Sequence, residues 1–194
     1  MKVTSVVLKK HRWKLHPQPS SMAKVRRALD NIDLRGKVVL DPFCGTGTLL
    51  IVAREKGARV IGSDIEDWSE YLRLGSEGIE FHWGIDVLDA IKKIEHDILL
   101  TDPPNPTTIV GGRLPSAYRD TRVKGAQLLK MFNFSERNLM GKRYKTIKVV
   151  IKLVKYELDN GRTIVINAFR PYRKYLFPIF QMRQLHDTYY IVEG

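Results

Sequence analysis

Short apolar runs alternate with segments of helical period along most of the chain. "KVVLD" (37–41) is a compact apolar run that stops at a glycine-rich turn, so it predicts a strand followed by a tight bend. "LLIVAREKGA" (49–58) has helical character and stops at Gly57. "RVIGSD" (59–64), "IEFHWG" (79–84), "DILLTD" (97–102), "TIVINAF" (163–169) and "TYYIV" (188–192) predict further strands. Helices are expected over "EYLRLGS" (70–76), "VLDAIKKI" (87–94), "YKTIKVVIKLVKYELDNG" (144–161) and "YRKYLFPIFQMR" (172–183), the last kinked near Pro178. The longest of these has an apolar stripe of Ile147, Ile151, Val154 and Leu158, with Lys145, Lys148, Lys152 and Lys155 opposite as a solvated face. "KVTSVVLKK" (2–10) is a candidate edge strand. Alternation of this kind predicts an α/β protein with a mostly parallel central sheet and helices on both faces.

Composition narrows the class. The chain has 194 residues, of which 43% are hydrophobic, enough for one domain spanning 1–194 with a sizeable core. Within it, 1–35 reads as an N-terminal segment, and 107–143 as an irregular insert long enough to be functional. No apolar run approaches a membrane span and no signal-peptide pattern is present, so a cytoplasmic protein with no membrane partner is expected. One cysteine, Cys44, excludes an internal disulfide and a cysteine-rich zinc site, and the five histidines show no ligand spacing, so no metal is expected. The net charge of +12 is the strongest bulk signal. It favours a polyanionic partner, most often nucleic acid, over simple solubility or lysine enrichment.

Ligands of parallel α/β sheets bind at the carboxyl ends of the strands. The first strand ends at Asp41, the second at Asp64, the third is followed by Asp86, the fourth ends at Asp102, and the fifth runs into Asn167, Phe169 and Arg170. "DPFCGTGTLL" follows the first strand and opens a helix, and Gly45 and Gly47 let its backbone approach a ligand. It has neither the full G-x-G-x-x-G pattern nor G-K-[ST]. An acid about 20 residues beyond such a turn accepts hydrogen bonds from ribose hydroxyls, so Asp64 points to a ligand containing an adenosine.

"DPFCGTGT", "GSDIED", "GIDVLDA" and "TDPPN", in that order, resemble the motif series of class I methyltransferases that use S-adenosylmethionine. More narrowly, the series is similar to amino-methyltransferases, which methylate exocyclic amines of bases, and "DPFCGTGT" is close to the form in archaeal and eukaryotic tRNA guanosine-N2 methyltransferases. "HPQPSSMAKVRRAL" resembles the His-Pro segment and helix that precede the glycine-rich turn there. The likeness covers roughly residues 15–106. It implies a Rossmann-like class I methyltransferase fold and S-adenosylmethionine as cofactor. It further implies that Asp41, Gly45 and Gly47, in a turn shared with Phe43, Cys44 and Thr46, shape the methionine side of the cofactor site. Asp64, with Ile65, would bind the ribose, and Asp86, with Val87, would reach the adenine amine, though Asp86 also suits a helix N-cap. His16 and Pro17 would close over the cofactor.

"TDPPN" carries the candidate chemistry. An exocyclic base amine is a poor nucleophile because its lone pair is delocalised into the ring. Accepting both N–H bonds favours a pyramidal nitrogen and aims the lone pair at the methyl group. Asp102 can accept one, and a carbonyl held by Pro103 and Pro104 the other, which is preorganisation of the acceptors. Asn105 stands where the resembled families carry an aromatic that stacks on the flipped base. Stacking then falls to Trp13, Tyr118, Phe169 or Tyr172, with Asn105 hydrogen-bonding the base edge. Cys44 lies in the glycine turn and no cysteine follows Asp102, which excludes carbon-5 pyrimidine methylation and leaves Cys44 as a packing residue.

Target contacts are expected from Trp13, Arg113, Tyr118, Arg119, Phe169, Arg170 and Arg173, where cations stand beside aromatics. The tRNA enzymes resembled carry a further RNA-binding domain, for which this chain has no room. That favours ribosomal RNA over tRNA, methylated at cytidine N4 or guanosine N2 and presented in a pre-ribosomal particle. The alternatives are a tRNA guanosine-N2 enzyme, a DNA amino-methyltransferase acting on adenine N6 or cytosine N4, a protein glutamine methyltransferase, which the charge disfavours, and a non-catalytic cofactor-binding RNA assembly factor.

Overall fold

The computed structural model describes residues 20–104 and 139–192. Its centre is a seven-stranded sheet in the order β3-β2-β1-β4-β5-β7-β6. The strands are β1 (Val38–Asp41), β2 (Arg59–Asp64), β3 (Glu80–Trp83), β4 (Ile98–Thr101), β5 (Thr163–Asn167), β6 (Met182–His186) and β7 (Tyr189–Val192). β1 to β5 pair in parallel, and β7 runs antiparallel to both β5 and β6. The order reverses between β1 and β4, so the switch point opens between Asp41 and Asp102. Five α-helices complete the described residues: α1 (Met22–Ala28), α2 (Thr48–Glu55), α3 (Val87–Lys93), α4 (Leu139–Asp159) and α5 (Arg170–Leu176). The mostly parallel α/β sheet expected from the alternation is present.

Two apolar clusters cover the sheet. One unites Val25 and Leu29 of α1 and Leu49–Ala53 of α2 with Val39, Leu100 and Val165. The other joins Ile91 of α3, Val150 and Val154 of α4 and Leu176 of α5 to Leu40, Leu99 and Ile166. Successive strand residues thus feed opposite cores, which is why these strands read as continuous apolar runs.

Several boundaries differ from expectation. The 70–76 helix is only a 3-10 turn, Ser69–Tyr71. The long helix begins at Leu139 rather than Tyr144, so the insert expected over 107–143 ends within it. Its buried face is Ile147, Val150, Leu153, Val154 and Glu157, while Ile151 and Leu158 are half-buried. Glu157 is tolerated there because His96 Nε2 lies 2.9 Å and Arg162 Nη1 3.4 Å from its Oε2. Lys148, Lys152 and Lys155 are exposed, as expected of a solvated face. The 172–183 helix is α5 followed by β6. Pro178 offers no N–H to continue the helix, and Asp187, with φ 53°, turns the chain back from β6 into β7. Gln-Met-Arg-Gln-Leu has good helix propensity, and pairing with β7 overrides it. The candidate edge strand 2–10 lies outside the described residues.

Gly62 in β2 has a packing reason. A Cβ there would meet Phe81 Cδ1 at 2.7 Å and Leu50 Cδ1 at 2.8 Å. Phe81 stacks on Trp83 with centroids 5.0 Å apart, which limits its retreat. Gly62→Ala is therefore expected to destabilise the fold by about 1–3 kcal/mol, measured by urea denaturation. An unchanged midpoint would mean that the ring moves aside freely.

Candidate active site at the switch point

β1 delivers Asp41 into the turn that leads to α2. Asp41 is 1% exposed, and its Oδ1 accepts from Phe43 N at 3.1 Å. Among the described residues its Oδ2 is buried without a hydrogen-bond partner; Thr101, on β4, acts on the carboxylate as a favourable dipole but stands outside hydrogen-bond geometry. Gly45 and Gly47 have φ of 48° and 80°, left-handed values that side chains rarely take. Gly47 N donates to Cys44 O at 2.8 Å, closing the turn that starts α2. Phe81 supports the turn from beneath, since a Cβ on Gly47 would lie 3.2 Å from its Cζ. Cys44 and Thr46 are buried and Phe43 is half-buried.

β2 ends in Asp64, also 1% exposed. Its Oδ2 accepts from Gly45 N and its Oδ1 from Glu66 N, each at 3.1 Å, so it ties the second strand's end to the glycine turn. Ile65 beside it is half-buried. Asp86 caps α3, its Oδ1 accepting from Leu88 N at 2.9 Å, and Val87 is buried as the first residue of that helix. The cap is the alternative that the residue type allowed.

β4 delivers Asp102. Its Oδ1 accepts from Asn167 Nδ2, at the end of β5, at 3.0 Å, and its Oδ2 accepts from the Ser20 hydroxyl just before α1. Pro103 is buried and Pro104 half-buried. Tyr172, fully buried in α5, donates its hydroxyl to Pro104 O at 2.6 Å. That removes Tyr172 from the residues able to stack on a base: the packing of α5 on the sheet encloses its ring. Phe169 instead lines a cavity of about 250 Å3 with Ser20, Ser21, Lys24, Asp102, Asn167, Thr188 and Tyr189. Arg170 is exposed, whereas Arg173 turns away from this cavity to donate to Tyr190 Oη at 3.2 Å. Trp13, His16, Pro17, Asn105, Arg113, Tyr118 and Arg119 lie outside the described residues.

The rim is electrostatically loaded. Burial pushes Asp41 well above the usual carboxylate range, and repulsion from Asp102 and Asp64 adds to it. Burial also raises Asp64 and Asp102 to about 6, against an ordinary 3.8. Burial pushes the Cys44 thiol up as well, which suits packing rather than nucleophilic attack. The structure therefore brings together three buried or half-buried carboxylates, one with an unpartnered oxygen, beside a turn made for backbone approach. Such a site suits an organic cation with hydrogen-bonding hydroxyls, and S-adenosylmethionine, with its sulfonium and ammonium groups, has that chemistry. Because Asp64 and Asp102 are raised, they favour the folded protein most below pH 3.8 and lose that contribution as pH rises through about 6.

Ser20 and Tyr189 were not among the expected site residues. No local pattern marks them, since Ser20 meets Asp102 across 82 positions of sequence. Among the described residues, no group of three or more His, Cys, Asp or Glu side chains is placed to hold a metal, and no helix is long and apolar enough to cross a membrane.

This sheet, its switch point and its acidic rim define a Rossmann-like class I methyltransferase fold. The chain superposes on the 16S rRNA N2 G1207 methyltransferase of T. thermophilus, solved with AdoMet and guanosine, at a TM-score of 0.50 and 17% identity, covering 90% of this chain and 42% of that one. Residues 2–76 match the DNA methylase family of N6 and N4 methyltransferases. The tRNA (guanine(10)-N2)-dimethyltransferase of Methanothermobacter thermautotrophicus is 34% identical over 115 residues, 53% of this chain and 33% of its own length. The type II methyltransferase M.HpaI of Haemophilus parainfluenzae is 34% identical over 92 residues, 46% of this chain and 28% of its own length. The chain thus has the class I methyltransferase fold, and part of its sequence is similar to amino-methyltransferases. It spans 28% to 51% of the length of the first three curated relatives it matches.

Proposed function

We propose that this chain methylates an exocyclic amine of a base in RNA, using S-adenosylmethionine. The observation that carries the reading is Asp102, held at both oxygens beside a cavity lined by Phe169 and Tyr189, with the glycine turn and Asp41 at the neighbouring strand end. Asp41, Gly45, Gly47, Asp64 and Asp86 would hold the cofactor, which supplies an activated methyl group. Asp102 accepts one N–H of the target amine and a carbonyl of the proline turn accepts the other, so the nitrogen lone pair turns out of conjugation. No strong base is needed, because the methylated amine is acidic and loses its proton afterwards. Among the described residues, Phe169 is a cavity-lining aromatic placed to stack on the base.

The net charge of +12 supports a nucleic-acid substrate. The archaeal tRNA relatives support guanosine N2; cytidine N4 stays open through the N6 and N4 family match. The preference for ribosomal RNA rested on chain length alone, and the partial coverage of the relatives removes that argument, so tRNA and ribosomal RNA stand level. A second reading, DNA amino-methylation, is favoured by the family match and by M.HpaI.

The test is methyl transfer from labelled cofactor to total RNA and to DNA from cells lacking the gene, with nucleoside analysis of the product. Label in N2-methylguanosine or N4-methylcytidine supports the reading and selects the base. Label in DNA alone replaces it with the second reading, and bound cofactor without transfer to either leaves a binding protein. The rate is also expected to fall in acid with an apparent pKa near 6, because Asp102 must be ionised to accept the N–H and protonates as pH drops through that value. A kcat profile flat from pH 5 to 8 would remove Asp102 from this role.

A further inference from the structure

Asp102 and the proline turn are gripped from one direction, the corner where β5 passes into α5. Asn167 is the last residue of β5, 5% exposed, and Tyr172 is fully buried in α5. Asn167 Nδ2 reaches Asp102 Oδ1 at 3.0 Å, and Tyr172 Oη reaches Pro104 O at 2.6 Å. An ionised carboxylate only accepts, so the amide nitrogen of Asn167 must face it. The two contacts act on the two sides of the turn that the proposed chemistry needs: its side-chain acceptor and its carbonyl backbone.

We propose that Asn167 and Tyr172 are positioning residues for the methyl transfer, fixing Asp102 and the Pro103–Pro104 carbonyl row through these two hydrogen bonds. The inference rests on the reading of Asp102 as the acceptor for the target amine. Asn167 belongs to the sheet and occupies Oδ1 permanently. Among the described residues, Oδ2 is held by the hydroxyl of half-buried Ser20, which lines the cavity, so Oδ2 is the oxygen an incoming amine takes. Tyr172 stops the second peptide of the turn from rotating, so the carbonyls keep their direction when the base enters. Neither residue touches the base.

Among the described residues, the titratable groups around Asp102 are Asp41 at the end of β1, Tyr172 of α5 and Tyr189 of β7. Both phenols are pushed upward by burial and stay neutral in the working range. Lys24 of α1 lines the cavity but pairs with Asp187 at 2.6 Å. The Asn167 hydrogen bond holds Asp102 lower than burial alone would.

The experiment compares the full chain with Tyr172→Phe and Asn167→Ala, measuring kcat, KM for the RNA, the cofactor Kd by calorimetry, Tm and the pH profile. Both variants are expected to lose roughly 10- to 100-fold in kcat with cofactor Kd and RNA KM held. Asn167→Ala should also move the acid limb to higher pH, while Tyr172→Phe leaves it in place. Wild-type kcat in Tyr172→Phe, or an acid limb unmoved in Asn167→Ala, overturns the proposal. So does loss of cofactor binding in step with turnover, which marks a structural role. If Tyr172→Phe fails to fold, the Asn167→Ala pH profile decides. A wild-type chain that transfers no methyl group to any base amine defeats the functional reading itself, an outcome distinct from active variants of an active enzyme.

Discussion

Asp102→Ala is expected to lower methyl transfer by about 10²- to 10³-fold, the scale of losing one preorganised partner of the reacting group. The physical ground is differential. A free base amine is satisfied by water, and an N–H acceptor matters most when the nitrogen pyramidalises and its hydrogens gain positive character. Asp102 is held ready for that moment by Asn167 and Ser20. Removing it leaves Asn167 Nδ2 without this acceptor but also removes a carboxylate that burial disfavours, so Tm should change little. Cofactor affinity should hold, because the glycine turn and Asp64 are untouched. Single-turnover rates with calorimetric cofactor binding check both statements. A near-wild-type rate would make Asp102 a bystander, and lost cofactor binding would move it to the cofactor site.

Asp41→Asn should act in opposite directions on stability and on binding. The folded chain buries this carboxylate beside Asp64 and Asp102, with one oxygen lacking a partner. Asparagine keeps the shape, removes the charge and can turn an N–H toward Thr101. For a domain of this size each recovered kcal/mol raises Tm by about 2–4 °C, and the variant is expected to gain at least one such step. Its cofactor affinity should fall about 10- to 100-fold, as a hydrogen bond to a charged group contributes about 1.5–3 kcal/mol. Thermal melts with and without S-adenosylmethionine read both effects. A variant both less stable and equally able to bind would mean that Asp41 is a structural cap of its turn. The expected trade-off, activity maintained at the expense of stability, is common where charges are gathered for function.

What could be read beforehand follows from the range of the interactions. The parallel strands β1, β2, β4 and β5 were legible because each is buried over most of its length and its apolar run needs no partner to be recognised, whereas β3, at the sheet edge, alternates exposed and half-buried residues. The acids at their ends were legible because topology places strand ends together. β6 was not, since its half-polar sequence is a strand only through β7. The face of α4 was misjudged by part of a turn because Glu157 sits on it, and a charged residue enters an apolar stripe only with His96 and Arg162 beside it. The exclusion of Tyr172 from stacking likewise depends on where α5 packs, and Ser20 on where α1 begins. Local pattern identified the carboxylates and placed Gly45 and Asn167 at the same rim; the hydrogen bonds that hold the carboxylates came from the fold.

The contacts around Asp102 join distant parts of the chain: Ser20 across 82 positions, Asn167 across 65, and Tyr172 to Pro104 across 68. Contacts of such sequence separation form late, because closing the intervening loops is slow and yields nothing until the central strands are paired. The glycine turn, by contrast, ties Gly45 to Asp64 across only 19 positions. During refolding the turn should therefore become competent before the carboxylate is clamped. The order of assembly would run from cofactor shelf to reaction centre, and a chain caught midway would be a binder long before it could be a catalyst.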